Sequence, residues 1–206
     1  MLTVYEIFHS LQGEGPFTGR PAVFLRLSGC VKPYCSFCDT AEALTGGVLM
    51  PLTQIVAAIE AYACSLVVVT GGEPFLQWGN GLAELEGLLV DRGFEIHYET
   101  SGRAGIPPEA VGKIVLSPKP GQWPEPKILA RVWALKVLWD EIHSEHILRA
   151  VAASGVPQER VWLMALGASR EEQLRLMPLL WDVCCKHGFR LSPRLHLLAF
   201  DRKKGV

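Results

Sequence analysis

The chain has 206 residues, 49% of them hydrophobic, with 20 Lys and Arg against 21 Asp and Glu. That length suits one domain, residues 1–206, with a sizeable core. The balanced charge argues against a direct nucleic-acid partner, and no apolar run approaches the roughly 20 residues that span a bilayer. Residues 1–8 lack a basic region followed by a long apolar run, so no secretory signal is expected. Six cysteines in such a chain fit a reducing, cytoplasmic setting, where metal or redox roles outweigh disulfides.

A first strand is expected over residues 4–8. A turn-rich loop follows over residues 9–20, marked by Gly13, Gly15, Pro16 and Gly19. Gln12 and Glu14 alternate with glycines there, which suits either close backbone approach to a ligand or an ordinary solvated loop. Residues 22–27 read as a second strand that carries Arg26 inside an apolar run. A charge in such a place needs a partner, either a protein carboxylate or an anionic ligand.

Cys30, Cys35 and Cys38 come next, in a C-x4-C-x2-C array. Three thiolates so close together suggest a soft metal centre. Being odd in number, they cannot all pair as disulfides. A structural zinc site closes with four ligands. A four-iron cluster takes one thiolate per iron, so three would leave one iron open to substrate or cofactor. A zinc site completed by a distant His or Cys, and three buried thiols, are the alternatives.

Beyond the cysteines, Leu52, Ile55, Val56 and Ile59 recur at helical spacing, which predicts a helix over residues 52–63. Residues 66–69 are a β-branched run, as in a buried parallel strand, and end in Thr70-Gly71-Gly72-Glu73-Pro74. Glycines straight after a strand expose backbone groups at the sheet edge where α/β folds bind ligands. A helix is predicted over 82–90, and strands over 94–98, 111–116 and 134–139. A helix over 142–153, a strand over 161–166 and a long helix over 170–187 follow, the last with Pro178 as a possible kink. Residues 191–200 are expected to close the core, and the polar tail 201–206 to be mobile.

The alternation of strands and helices implies a parallel sheet with right-handed crossovers. Cys64, Cys184 and Cys185 read as structural thiols. His143, His146 and His187 read as surface or satisfied residues, and His97 as packed within its strand. His196, near the end of the fold, is harder to dismiss. Trp133, Trp139, Trp162 and Trp181 read as core or interface.

Taken together, these residues resemble the radical S-adenosylmethionine superfamily and, within it, the family of 7-carboxy-7-deazaguanine synthases. The resemblance rests on Gln12-Gly13-Glu14-Gly15, the three cysteines with Asp39-Thr40, Gly71-Gly72-Glu73-Pro74, Glu99-Thr100-Ser101-Gly102, Ser117-Pro118-Lys119 and Leu135-Lys136-Val137. It implies a shortened, open, partial (β/α) barrel with mostly parallel strands. By resemblance, Cys30, Cys35 and Cys38 hold a [4Fe-4S] cluster. Gly72, Ser117, Pro118 and Lys119, with Leu163, Met164, Ala165 and Leu166, bind S-adenosyl-L-methionine. Leu11, Gln12, Gly13, Arg26 and Thr70 match substrate-binding positions, and Thr40 a ligand of Mg²⁺.

The implied substrate is 6-carboxy-5,6,7,8-tetrahydropterin, converted by radical ring contraction and loss of ammonia. This places the enzyme in queuosine precursor biosynthesis, served by a reducing donor such as flavodoxin. A homodimer is implied as well. The C-x4-C spacing departs from the superfamily's usual C-x3-C. The segment Met164-Ala165-Leu166-Gly167 lacks the proline and acidic residue common there, and Leu197 follows His196 where a lysine often does. The competing functions are an activase that places a glycyl radical on a partner protein and a zinc-stabilised binding module without catalysis.

Overall fold

The structure is a computed structural model and describes residues 1–203. It divides into two compact units, one of residues 1–10 and 21–114, the other of residues 11–20 and the chain from Val115 onward.

In the first unit, β1 (Leu2–Leu11), β2 (Pro21–Leu27), β3 (Val48–Met50), β4 (Leu66–Gly71) and β5 (Glu95–Thr100) lie in the order β3-β1-β2-β4-β5. β2, β4 and β5 are parallel, with Arg26 opposite Thr70 and Val67 opposite Ile96. β3 pairs antiparallel with β1. Helices α1 (Leu52–Glu60) and α2 (Leu82–Asp91) cover the sheet. The predicted spacing on α1 is used as expected, since Leu52, Ile55, Val56 and Ile59 are all buried in the same core as Leu25, Val67 and Tyr98. Each such side chain contributes about 1.5–3 kcal/mol relative to exposure.

In the second unit, β6 (Lys113–Leu116, beginning two residues before the division), β7 (Ala134–Trp139), β8 (Val161–Ala165) and β9 (Arg190–Ser192) are all parallel. Helix α3 (Pro126–Leu129) is a single turn, followed in chain order by α4 (Ser144–Ala153), α5 (Arg170–His187) and α6 (Leu195–Phe200). The core packs Leu135, Val137, Leu163 and Ala165 with Leu176, Leu180 and Cys184 of α5. α5 opens on a capping box: Ser169 Oγ accepts from Glu172 N, and Glu172 accepts in turn from Ser169 Oγ. It closes on Gly188 in the left-handed conformation, which glycine adopts without a Cβ penalty. Neither unit's sheet closes on itself, which gives the open, mostly parallel α/β fold expected.

Several expectations change. β1 reaches Leu11, so the turn region is shorter than residues 9–20. β3 has three residues, too few to show any periodicity. Residues 191–200 split into the end of β9 and helix α6. α5 runs through Pro178 as one helix. Trp181 and Cys185 are exposed rather than core, because each follows an inward-facing residue by one position, about 100° around the helix. Asp201 accepts a hydrogen bond from Arg170 N, so the tail is tied at its first residue, while residues 204–206 lie outside the described residues. Among the described residues no helix is long and apolar enough to cross a membrane.

Candidate active site

In the first unit the cysteine loop leaves the carboxyl end of β2. Its start is fixed from two sides, by Gly29 N donating to Ala43 O and by Glu73 N donating to Gly29 O. Glu73 is fully buried, and its carboxylate accepts from Thr100 Oγ at 2.6 Å, Ser101 N at 3.0 Å and Ser101 Oγ at 2.5 Å. A buried carboxylate needs such donors. The Gly-Gly pair has a local reason too. A Cβ at Gly72 would lie 2.0 Å from Gly29 O and 2.9 Å from Cys30 Cβ, and one at Gly71 would lie 2.1 Å from Leu27 O. Only glycine lets these backbones meet.

Cys30, Cys35 and Cys38 are free thiols, each half-buried. Burial pushes the Cys30 thiol above its ordinary pKa, with Glu73 and Cys35 adding to the effect. Beyond Pro33, whose carbonyl accepts from Arg103 at 3.0 Å, the loop's own order is a turn in which Cys38 N donates to Cys35 O. Among the described residues, no three His, Cys, Asp or Glu side chains are gathered as a metal site. The donor set of three free thiols on one loop nevertheless fits a thiolate-held cluster.

Thr40 opens a short 3-10 helix, Ala41–Leu44, but its side chain does not cap that helix. Its hydroxyl donates to Asp39 Oδ1 at 3.1 Å. Arg26 meets the first of its two expected partners, a protein carboxylate: its Nε donates to Glu6 at 2.6 Å. Its register partner Thr70 projects from the same face of the sheet.

The second unit holds the turn after β1. Glu14 lies between Lys136 and Arg194, each 2.8 Å from one of its carboxylate oxygens, with His196 at 3.9 Å. Burial would raise the Glu14 pKa, but Lys136, then Arg194 and His196, outweigh it and hold the carboxyl far below its ordinary range. The glycines fit tightly around this hub. Gly13 O accepts from Leu195 N, and a Cβ on Gly13 would meet His196 Nδ1 at 2.5 Å. Gly15 has φ +66° and donates its N–H to Ser192 Oγ at 2.7 Å. Gln12 is buried, and its side-chain oxygen accepts from Glu14 N.

Of the other expected positions, Leu11 is exposed at the end of β1. Ser117 and Pro118 are buried just after β6, with Lys119 Nζ 3.5 Å from Ser117 Oγ. The segment 163–166 turns most of its side chains inward. Leu163 and Ala165 belong to the core against α5 and Met164 is buried, which leaves Leu166 half-exposed. The hub roles of Glu14, Lys136 and Arg194, and that of Glu73, were not foreseen. Lys136 carried the same signal as Arg26, a charge inside an apolar strand.

No protein-family model matches the chain. It is 38% identical to a 7-carboxy-7-deazaguanine synthase of Pyrobaculum aerophilum, over 98% of this chain and 96% of that one. It is 36% identical to one of Hyperthermus butylicus, over 96% and 92%. The chain belongs to the 7-carboxy-7-deazaguanine synthase family. The crystal structure of QueE from Escherichia coli superposes with a TM-score of 0.74 at 26% identity, covering 93% of this chain and 92% of that one.

Proposed function

We propose that this chain is a radical S-adenosylmethionine lyase that converts 6-carboxy-5,6,7,8-tetrahydropterin to 7-carboxy-7-deazaguanine, a step in queuosine precursor biosynthesis. The observation that carries the reading is the end-to-end similarity to synthases of that name in a chain with three free thiols on one loop beside a Gly-Gly-Glu turn. Cys30, Cys35 and Cys38 would hold a [4Fe-4S] cluster, which supplies the electron that opens the sulfonium of S-adenosyl-L-methionine.

The protein's own residues bind and orient. Gly72, packed against Gly29 and Cys30, would present its backbone to the methionine end of the cofactor. Ser117, Pro118, Lys119 and Leu166, with the backbone of residues 163–165, would contact its remaining parts. Gln12 and Gly13 would present fixed polar groups to the pterin, with Leu11 and Thr70 completing its contacts. Arg26, aimed by Glu6, offers a planar donor for the substrate carboxylate. Thr40, whose hydroxyl is not used as a helix cap, is free to be one oxygen ligand of a Mg²⁺ that keeps several waters. The chain is read as one catalytic domain because the relatives align along its whole length. A small, strongly reducing protein such as flavodoxin would deliver the electron, in the cytoplasm.

The test is an anaerobic assay with reconstituted protein, reductant, S-adenosyl-L-methionine and the carboxylated pterin. Formation of 7-carboxy-7-deazaguanine is the expected outcome. Reductive cleavage of the cofactor that no pterin stimulates would overturn the substrate assignment.

A further inference from the structure

The thiol loop is closed by its own ends. Ser28, the residue before Gly29 and Cys30, is buried. Its N–H donates to Thr3 O at 2.9 Å, its carbonyl accepts from Gln77 Nε2 at 2.9 Å, and its hydroxyl meets Ala43 O at 3.1 Å and also Gly46 O. Gly29 N adds a bond to the same Ala43 O at 2.9 Å. Cys30, Cys35, Cys38 and Thr40 therefore lie on one stretch whose two ends are tied together at a neck. The neck is tight where the chain leaves it, since a Cβ on Gly47 would lie 2.8 Å from Val4 O and 3.0 Å from Ser28 Cβ.

Gln77 fastens this neck to the rest of the unit, from the 3-10 helix Pro74–Asn80 that follows the Gly-Gly-Glu turn. Its amide is buried and fully used. Oε1 accepts from Thr3 N at 2.7 Å, and Nε2 donates one proton to Thr3 O at 2.9 Å and the other to Ser28 O. Glu73 N, from the start of the same segment, donates to the next carbonyl along, that of Gly29, at 2.8 Å. One segment thus grips two consecutive carbonyls at the root of the loop. We propose that Gln77 is a positioning residue for the thiol loop, locking the neck to the turn that carries Gly72 so that the thiols and the Gly72 backbone keep one fixed relation. That the loop carries a cluster rests on the function proposed above, whereas the lock is a matter of backbone geometry.

A glutamine that served only the sheet edge would satisfy Thr3 and stop there. The bond to Ser28 O reaches past the end of β2, to the residue from which the loop departs. An amide suits the place because it offers donors and an acceptor in one plane, whereas an ionised Glu would bring no proton to two carbonyls. A buried carbonyl that loses its donor carries a desolvation penalty unless it moves to water, and Gly29 and Cys30 would move with Ser28.

Hydrogen exchange read by NMR on the full chain tests the lock, and cofactor titration tests its consequence, in Gln77→Leu and Gln77→Glu. Ile59→Val, in the α1 core of the same unit, is the control that loses stability with the neck intact. Before reconstitution, the Ser28 and Gly29 amides are expected to exchange about tenfold faster in both Gln77 variants than their global stability predicts, while in Ile59→Val they follow global stability. After anaerobic reconstitution, the S-adenosyl-L-methionine concentration that half-converts the EPR spectrum of the reduced cluster should rise about tenfold in both, and stay within about twofold in Ile59→Val. In wild type, the Gln77 side-chain amide protons should exchange as slowly as the backbone of the unit, a measurement that stands even where the variants fail to fold. Rapid exchange of those protons overturns the proposal, as do neck amides in Gln77→Leu that merely track global stability, or a titration that neither Gln77 variant shifts. A wild type that takes up no cluster defeats the proposed function instead, and the exchange data still decide the lock.

Discussion

The cysteine loop and the turn at Glu14 are both polar segments set among glycines, but their anchors differ in kind. The loop is fixed at its root, where Glu73 N holds Gly29 O, and touched near its middle by Arg103 at Pro33. At Cys30 the sulfur meets the backbone N–H of Val31, its own neighbour in the loop. The turn is held through its functional side chain, since Glu14 bonds Lys136 and Arg194 directly and its flanking glycines are tied to Leu195 and Ser192. A carboxylate aimed by two buried cations is ready before any ligand arrives. Soft thiolate ligands take their final arrangement from the metal they bind. One region is therefore tuned by the protein's own charges and the other by what the protein recruits.

The comparison breaks most completely at the thiols. Cys35→Ala is expected to abolish reductive cofactor cleavage and to cut iron content after anaerobic reconstitution, because one iron loses its thiolate. Cys64→Ala should leave iron per chain unchanged. Full activity in the Cys35→Ala protein would end the radical-enzyme reading.

Glu14→Gln attacks the other region by removing the carboxylate that Lys136 and Arg194 share. Breaking a buried pair in this way costs about 3–5 kcal/mol, which denaturant melts should detect with the cluster still formed. The pH dependence has a definite sign. The folded Glu14 carboxyl titrates below its ordinary value. Its stabilisation is therefore present above the unfolded pKa of about 4.3 and is lost as pH falls through and below it. Wild type should lose more stability than Glu14→Gln on acidification, and parallel acid melts of the two would contradict this.

Gly72→Ala tests the Gly-Gly pair. The new methyl would run into Gly29 O, so Gly29 and Cys30 must move. Overpacking of this sort costs about 1–3 kcal/mol. A larger rise in the apparent KM for S-adenosyl-L-methionine than fall in stability is expected. The smallest effect on stability belongs to Thr40→Val, since the hydroxyl caps nothing. Titrating turnover against Mg²⁺ should show metal stimulation lost in Thr40→Val and largely kept in Thr40→Ser. Superimposable magnesium curves for wild type and Thr40→Val would remove Thr40 from the metal site.

Local pattern alone determined the parallel α/β fold and the bounds of β7 and α5. Those signals lie within short windows of β-branched runs and helical spacing. Arg26 announced its need for a partner, but Glu6, twenty residues away, became that partner only through pairing of distant strands. The Glu14 hub is the stronger case, because Lys136 and Arg194 lie 122 and 180 residues from it in sequence. No window spans such distances, and burial alone turns three ordinary charges into one fixed group. Leu163 and Ala165 are a further case, since packing against α5 sets their side chains in the core. Sequence carries which groups are present and what they can bind, whereas tertiary packing decides which are buried, and burial sets the strength and direction of their charges.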